Sequence, residues 1–176
     1  ITITTNTGGL VGEISGDGTD IRESYGSGAV SGEASAGGLV GHINLPSRSV
    51  TISNSYATGD VIYSDSDDVG DSSGGLIGVI QSSDNDVTVE KSYSTGKVED
   101  DNDHSIGGLI GSTDEGGSGV ITVSSSYWDT ESSNESSSDG GTGLTTSEMQ
   151  GSSAESNMTG FDFSSTWKTV SGDYPE

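Results

Sequence analysis

Apolar residues in this chain recur two positions apart, and before residue 140 no window shows the i, i+3, i+4 pattern, so the prediction is short strands rather than helices. The tripeptides VTI (residues 50–52), VTV (87–89) and ITV (121–123) are the clearest cases. Each puts two β-branched side chains on one face and a threonine on the other, the composition that suits a half-buried pleated surface.

These tripeptides belong to a repeat. A Gly-Gly-Leu-Val/Ile-Gly phrase begins at Gly8, Gly37, Gly74 and Gly107, and a Ser-Tyr pair follows it at Ser24, Ser55, Ser92 and Ser126. Aligning on Ser-Tyr places Ile21, Ile52, Val89 and Val123 in one column, Thr19, Val50, Val87 and Ile121 in a second, and Val30, Val61 and Val98 in a third. Aligning on the glycines adds Leu10, Leu39, Leu76 and Leu109, then Val11, Val40, Ile77 and Ile110. Asp20, Thr51, Thr88 and Thr122 form an outward row beside Arg22, Ser53, Glu90 and Ser124. Repeats of this length bury a continuous core only by stacking. The expected fold class is therefore all-β, a parallel β-helix (β-solenoid) of about four coils with a C-terminal cap. Each coil should hold about three short strands, stacked about 4.8 Å apart. Residues 1–130 would be the repeats, with copies beginning near 8, 37, 74 and 107, and residues 131–176 a loop and capping segment. The paired glycines are expected to permit either a tight corner or a positive φ.

Composition makes the repeat necessary. Only 27% of the chain is hydrophobic and the formal net charge is −23, a combination that without periodicity describes a disordered chain. Five Lys plus Arg against 28 Asp plus Glu argue against nucleic acid or anionic lipid as partners. The same imbalance fits a protein adapted to molar salt, where the Debye length is about 3 Å. A halophilic, archaeal source is the expectation. Cysteine is absent, so there is no disulfide framework or thiol chemistry, and no apolar run is long enough to insert in a membrane. Beginning at Ile1 in a strand-like ITITT, the chain reads as a processed product or fragment whose export signal or anchor lies elsewhere.

The phrases GGLVG and SYATG, repeated over residues 8 to about 175, resemble the GLUG-motif repeats of large secreted bacterial and archaeal surface proteins. SYWDTESS from Ser126, GGTGLTTSEMQ from Gly140 and FDFSSTWKTVSGDYP from Phe161 are similar to the segment with which archaeal members close their array. The resemblance implies an extracellular or cell-surface, non-catalytic spacer, filament or adhesive module. The expected partners are other copies of itself or other surface proteins; the alternative is a module that binds glycans or cations through the long acidic turns at 63–73 and 99–105, and a polysaccharide-active enzyme is the remoter reading. The last copy departs from the pattern at Trp128, Asp129 and Thr130, where a large aromatic is expected to cover the final rung. Thr145 and Glu148 are spaced as a capping box for a helical turn near 146–151, and Phe161, Phe163 and Trp167 are expected to pack over the open end.

Candidate chemistry is sparse. GDSSG around Ser72 fits G-x-S-x-G, but it straddles an acidic turn and lacks the strand–turn–helix setting of a nucleophile elbow. His42 and His104 have no repeated partner, and Arg22, Arg48, Lys91, Lys97 and Lys168 are scattered, so no catalytic residue is assigned and no enzyme activity is expected. No cofactor is expected. Asp65, Asp67 and Asp68, with Asp101 and Asp103, are compatible with weak Ca²⁺ or Mg²⁺ binding, but solvated acidic loops are the better reading of them. Asn134-Glu-Ser and Asn157-Met-Thr are glycosylation triplets.

Overall fold

A computed structural model describes residues 5–16, 19–44, 46–63, 72–100 and 105–176. The chain is a β-solenoid. Its first coil contains β1 (Thr7–Gly8), β2 (Val11–Ser15), β3 (Asp20–Arg22), β4 (Tyr25–Gly26) and β5 (Val30–Gly32). The second repeats these as β6 (Ala36–Gly37), β7 (Val40–Asn44), β8 (Val50–Ser53), β9 (Tyr56–Ala57) and β10 (Val61–Tyr63). The third has β11 (Ser72–Gly74), β12 (Ile77–Ser82), β13 (Val87–Glu90), β14 (Tyr93–Ser94) and β15 (Val98–Asp100). The fourth has β16 (Ser105–Gly107), β17 (Ile110–Glu115), β18 (Ile121–Ser124) and β19 (Tyr127–Asp129), after which β20 (Thr142–Leu144) extends the last sheet.

Each complete coil thus has five strands where three were expected, and the fourth coil stops one short. The extra two are two- or three-residue strands at Gly-Gly and Tyr, too short for alternation to mark them. Every pairing between coils is parallel, with Ile21, Ile52, Val89 and Val123 partnered in turn, as are Val11, Val40, Ile77 and Ile110. Leu10, Leu39, Leu76 and Leu109 are linked rung to rung, each N–H donating to the next carbonyl at 3.0, 2.9 and 2.9 Å. A further inward column, Ile14, Ile43 and Ile80, completes the dry centre. Fully buried aliphatic side chains of this size each stabilise by about 1.5–3 kcal/mol.

Two backbone devices turn the corners. The paired glycines are not among the described glycines with positive φ. They are sites of close approach: a Cβ on Gly74 would lie 2.0 Å from the Ile77 carbonyl oxygen and 2.7 Å from the Gly111 nitrogen on the next coil. Positive φ instead falls on non-glycine residues one before each Ser-Tyr, namely Glu23 (48°), Asn54 (49°), Lys91 (49°) and Ser125 (46°). Such a conformation costs an L-residue roughly 1–2 kcal/mol, and the following serine offsets it. Ser24, Ser55, Ser92 and Ser126 each donate Oγ–H to the carbonyl two residues back, at 2.8–3.0 Å. In the first three the backbone N–H also donates to the serine Oγ of the coil above, at 3.2, 3.2 and 3.3 Å. The serine of Ser-Tyr is therefore a hydroxyl ladder, buried at Ser55, Ser92 and Ser126 and half-buried at Ser24, that locks the corner and ties the coils.

Where a fifth coil would sit, the chain closes its own edge. Trp128 joins the aliphatic core, and its Nε1–H donates to the Glu135 carbonyl at 3.0 Å. The N–H groups of Gly108, Leu109 and Ile110, which on inner rungs bond the next coil, donate to Ser137 O and Ser138 Oγ at 3.0, 3.2 and 2.8 Å. This answers the liability of an unpaired rung. Phe161, Phe163 and Trp167 do not perform this task, contrary to the sequence expectation. They pack on the side of the solenoid, because that is where the tyrosines stand.

Candidate functional site: the tyrosine ladder and its clefts

The tyrosine of each Ser-Tyr points away from the aliphatic core, on the sheet formed by β4, β9, β14, β19 and β20. Parallel register puts the rings one above another. Tyr25 and Tyr56 are stacked with centroids 5.2 Å apart and planes 9° apart, and Tyr56 and Tyr93 are 5.0 Å and 2° apart. Offset aromatic pairs of this kind add about 0.5–1.5 kcal/mol beyond burial.

The C-terminal segment is built to cover this ladder. It contains α1 (Thr146–Met149) and α2 (Ser152–Asn157), and buries Met149, Ala154, Met158, Phe161 and Trp167 against Tyr93 and Tyr127. The Glu148 carboxylate starts α1 by accepting from the Thr145 N–H and hydroxyl, both at 2.8 Å, so the spaced pair does cap the turn. The Trp167 ring lies 5.7 Å from Tyr93 and 6.0 Å from Tyr56, and Tyr93 donates its hydroxyl to the Pro175 carbonyl at 2.6 Å. Burial pushes the Tyr93 hydroxyl far above its ordinary pKa, so it remains a donor at any working pH.

Asp129 is the polar pin of this arrangement. Fully buried, it accepts from Thr146 Oγ1 at 2.6 Å, Tyr174 Oη at 2.5 Å, and the N–H groups of Glu131 and Ser132 at 2.8 and 3.1 Å. Burial alone would raise its pKa, but the Thr146, Tyr174 and backbone bonds together outweigh that and hold it below the ordinary 3.8. A carboxyl depressed in the folded state contributes stability that is complete above its unfolded pKa and lost as pH falls through the folded value. Acidification should keep the segment docked down to about pH 4 and loosen it below. The NMR indole signal of Trp167 reports this, and Asp129→Asn should weaken docking at neutral pH and remove that acid transition.

Cover is incomplete at the first coil. Tyr93 and Tyr127 are 1% and 5% exposed, whereas Tyr25 is 60% exposed. Two clefts flank the Tyr25–Tyr56 stack and share Glu176 on their rims. One, about 510 Å³, is lined by Ser27, Thr58, Thr95 and Asp173; the other, about 330 Å³, by Glu23, Asn54, Ser165 and Thr166. An open aromatic face ringed by hydroxyls, an amide and carboxylates, with no lysine or arginine lining either cleft, can seat a neutral hydroxylated ligand and repels anions.

No protein-family profile matches the chain, and no solved structure matches it. One stretch resembles halomucin. Over 73 residues, 40% of this chain, identity with halomucin of Haloquadratum walsbyi is 41%. The match spans 1% of the length of halomucin.

Other residues singled out by sequence are dispersed. Ser72 lies in β11, buried and paired in register with Ser105, on a strand rather than an elbow. His42, half-buried in β7, has Nε2 3.1 Å from Gln81 Oε1. Asp65, Asp67, Asp68, Asp101, Asp103 and His104 lie outside the described residues. Among the described residues no three His, Asp or Glu side chains are grouped to hold a metal. Asn134 is exposed in the closing loop, and Asn157 ends α2. Sequence reading passed over the tyrosine ladder, although the invariant second letter of Ser-Tyr carried the signal.

Proposed function

We propose that this chain is a non-catalytic module of an extracellular or cell-surface protein, a rigid acidic solenoid of the GLUG-repeat kind working in concentrated salt. The observation that carries the reading is the uninterrupted inward register, Val11 to Ile110 and Ile21 to Val123, in a chain of net charge −23. Everything repeated in the sequence builds the scaffold, and no reactive group recurs with it. The likeness to part of halomucin, from a halophile, supports the same reading. Among the described residues no helix is long and apolar enough to cross a membrane.

Association by coil stacking would use the first-coil end. The last rung has its N–H groups engaged by Ser137 and Ser138, while Leu10 and Tyr25 at the other end are 51% and 60% exposed. The test of location is protease treatment of intact cells that carry the parent protein, followed by immunodetection of this segment. Cleavage without lysis is the expected result, and full protection until lysis would refute the reading. Assay against a polysaccharide panel for new reducing ends should show no turnover.

The open Tyr25 face favours a second reading, in which the module also holds a neutral glycan. Saturable binding of neutral oligosaccharides in high salt, abolished by Tyr25→Ala, would establish it, and binding that survives Tyr25→Ala would exclude this site.

A further inference from the structure

The two Asn-x-Ser/Thr triplets occupy opposite settings. Asn134 is exposed, with φ at 62°, a left-handed conformation that asparagine adopts more readily than most residues. The backbone on both sides of it is fixed to the last coils. Val98 N–H donates to Ser133 O at 3.1 Å, Glu135 N–H to Ser133 Oγ at 3.1 Å, and Trp128 Nε1–H to Glu135 O at 3.0 Å. Asn134 and Ser136 therefore both stand in solvent on a turn whose flanks are held. Beside them is a shallow cleft of about 370 Å³ with Ile62, Val98 and Ile106 along it and Lys97, Glu99 and Glu135 at its edge. Ile62, 39% exposed, is one of few large apolar side chains left open among the described residues.

Asn157 is half-buried and its side chain is occupied. Its Nδ2 donates to the Glu148 and Ser153 carbonyls at 3.2 and 3.0 Å. Met158 is fully buried, and Thr159 Oγ1 lies 3.0 Å from the Tyr127 hydroxyl. Thr159 is exposed, but transfer to Asn157 would have to break both bonds of its Nδ2 and pull the triplet away from the buried Met158.

We infer that Asn134 is a site of N-linked glycosylation, that Asn157 is not, and that the first sugar of the Asn134 glycan lies over the Ile62–Ile106 cleft. In the transfer, Asn134 Nδ2 forms a bond to the anomeric carbon of a lipid-linked oligosaccharide while the bond from that carbon to the lipid phosphate oxygen breaks. The Nδ2 proton passes to a base of the transferring enzyme, and the lipid phosphate leaves. A glycan there shields an apolar patch and adds hydration without touching the core. The inference rests on the extracellular reading, because modification of this kind acts on exported chains.

The test uses the full chain exported by a halophilic host that carries an oligosaccharyltransferase, which separates this inference from the question of where the native protein resides. Peptide mapping by mass spectrometry is expected to find a glycan on the peptide containing Asn134, lost in Asn134→Gln and Ser136→Ala and unchanged in Asn157→Gln. Exported, folded protein with Asn134 unmodified, or with Asn157 carrying the glycan, would overturn it. The seat on the cleft has its own readout. Asn134→Gln should retain the circular dichroism of the parent and bind more of a hydrophobic dye, and equal dye binding would place the sugar elsewhere.

Discussion

Replacing Gly74 by alanine is expected to destabilise the solenoid by about 3 kcal/mol or more, at or beyond the upper end for overpacked sites. The added Cβ would meet Ile77 O at 2.0 Å and Gly111 N at 2.7 Å, and both are backbone atoms that cannot rotate away. One belongs to the same coil and one to the next, so relief requires moving a rung that the Leu39–Leu76–Leu109 bonds hold in place. A small domain has roughly 5–15 kcal/mol in total, so the loss should appear as a large drop in the urea midpoint. Gly28→Ala is the control: nothing lies within 4 Å of its added Cβ, and its backbone is not left-handed. It should be neutral or stabilising by about 0.4–1 kcal/mol, since alanine narrows the unfolded ensemble. If both variants unfolded alike, close approach at the paired glycines would not be their role.

Trp167→Ala should cost about 3–5 kcal/mol, the range for removing a large buried aromatic. Its ring is 5% exposed and lies 4.7 Å from Phe161, 5.7 Å from Tyr93 and 6.0 Å from Tyr56, joining the C-terminal segment to two coils at once. Loss of the segment would expose Met149, Met158 and the ladder, so the variant should bind hydrophobic dye and become sensitive to proteolysis after residue 145. The β-sheet signal in the far ultraviolet should survive, because the aliphatic core is a separate cluster with its own closing residue, Trp128. Trp167→Phe should lose much less: its Nε1 is buried without a hydrogen-bond partner among the described residues, and phenylalanine keeps a ring against the tyrosines. A fully unfolded Trp167→Ala would mean that the two clusters fold as one.

The division of the molecule explains how much of it was legible in the sequence. Leu39, Ile52, Val89 and their columns could be read because stacking repeats one chemical type at one offset. The Ile14, Ile43 and Ile80 column was equally periodic, but the fourth copy breaks it with Thr113. Corner residues Glu23, Asn54, Lys91 and Ser125 share a backbone conformation and no side-chain property. Only asparagine among them favours left-handed φ, so alignment shows nothing there. The need for glycine was visible in Gly-Gly-Leu, and its reason was not, since approach of one coil to the next depends on three-dimensional register.

Aromatic residues mark the same limit from the other side. Trp128, Phe161 and Trp167 all read as apolar material near a chain segment that ends the repeats. Trp128 could be assigned to the closing rung because it breaks the repeat at a known register, whereas the flank position of Phe161 and Trp167 depends on contacts between residues far apart in sequence, such as Tyr93 with Pro175. The tyrosine ladder, once seen, also gives the first coil its distinct character. The segment reaches Tyr56 and stops, leaving Tyr25 as an open face with clefts on either side.

Parallel stacking of like residues in register is the claim beneath the fold, the closed edge and the functional reading, and cysteine pairs test it without background because the chain has none. Thr51 and Thr88 are direct partners on adjacent strands, and Thr122 is the next rung beyond. Adjacent parallel strands are about 4.8 Å apart, within disulfide reach, whereas two rungs exceed the roughly 7 Å limit. Oxidation of the monomeric double variant Thr51→Cys, Thr88→Cys should give an intramolecular disulfide in nearly every molecule by thiol titration and mass spectrometry, while Thr51→Cys, Thr122→Cys should keep both thiols free. Free thiols in the first pair, or a ready bridge in the second, would contradict the stacked register.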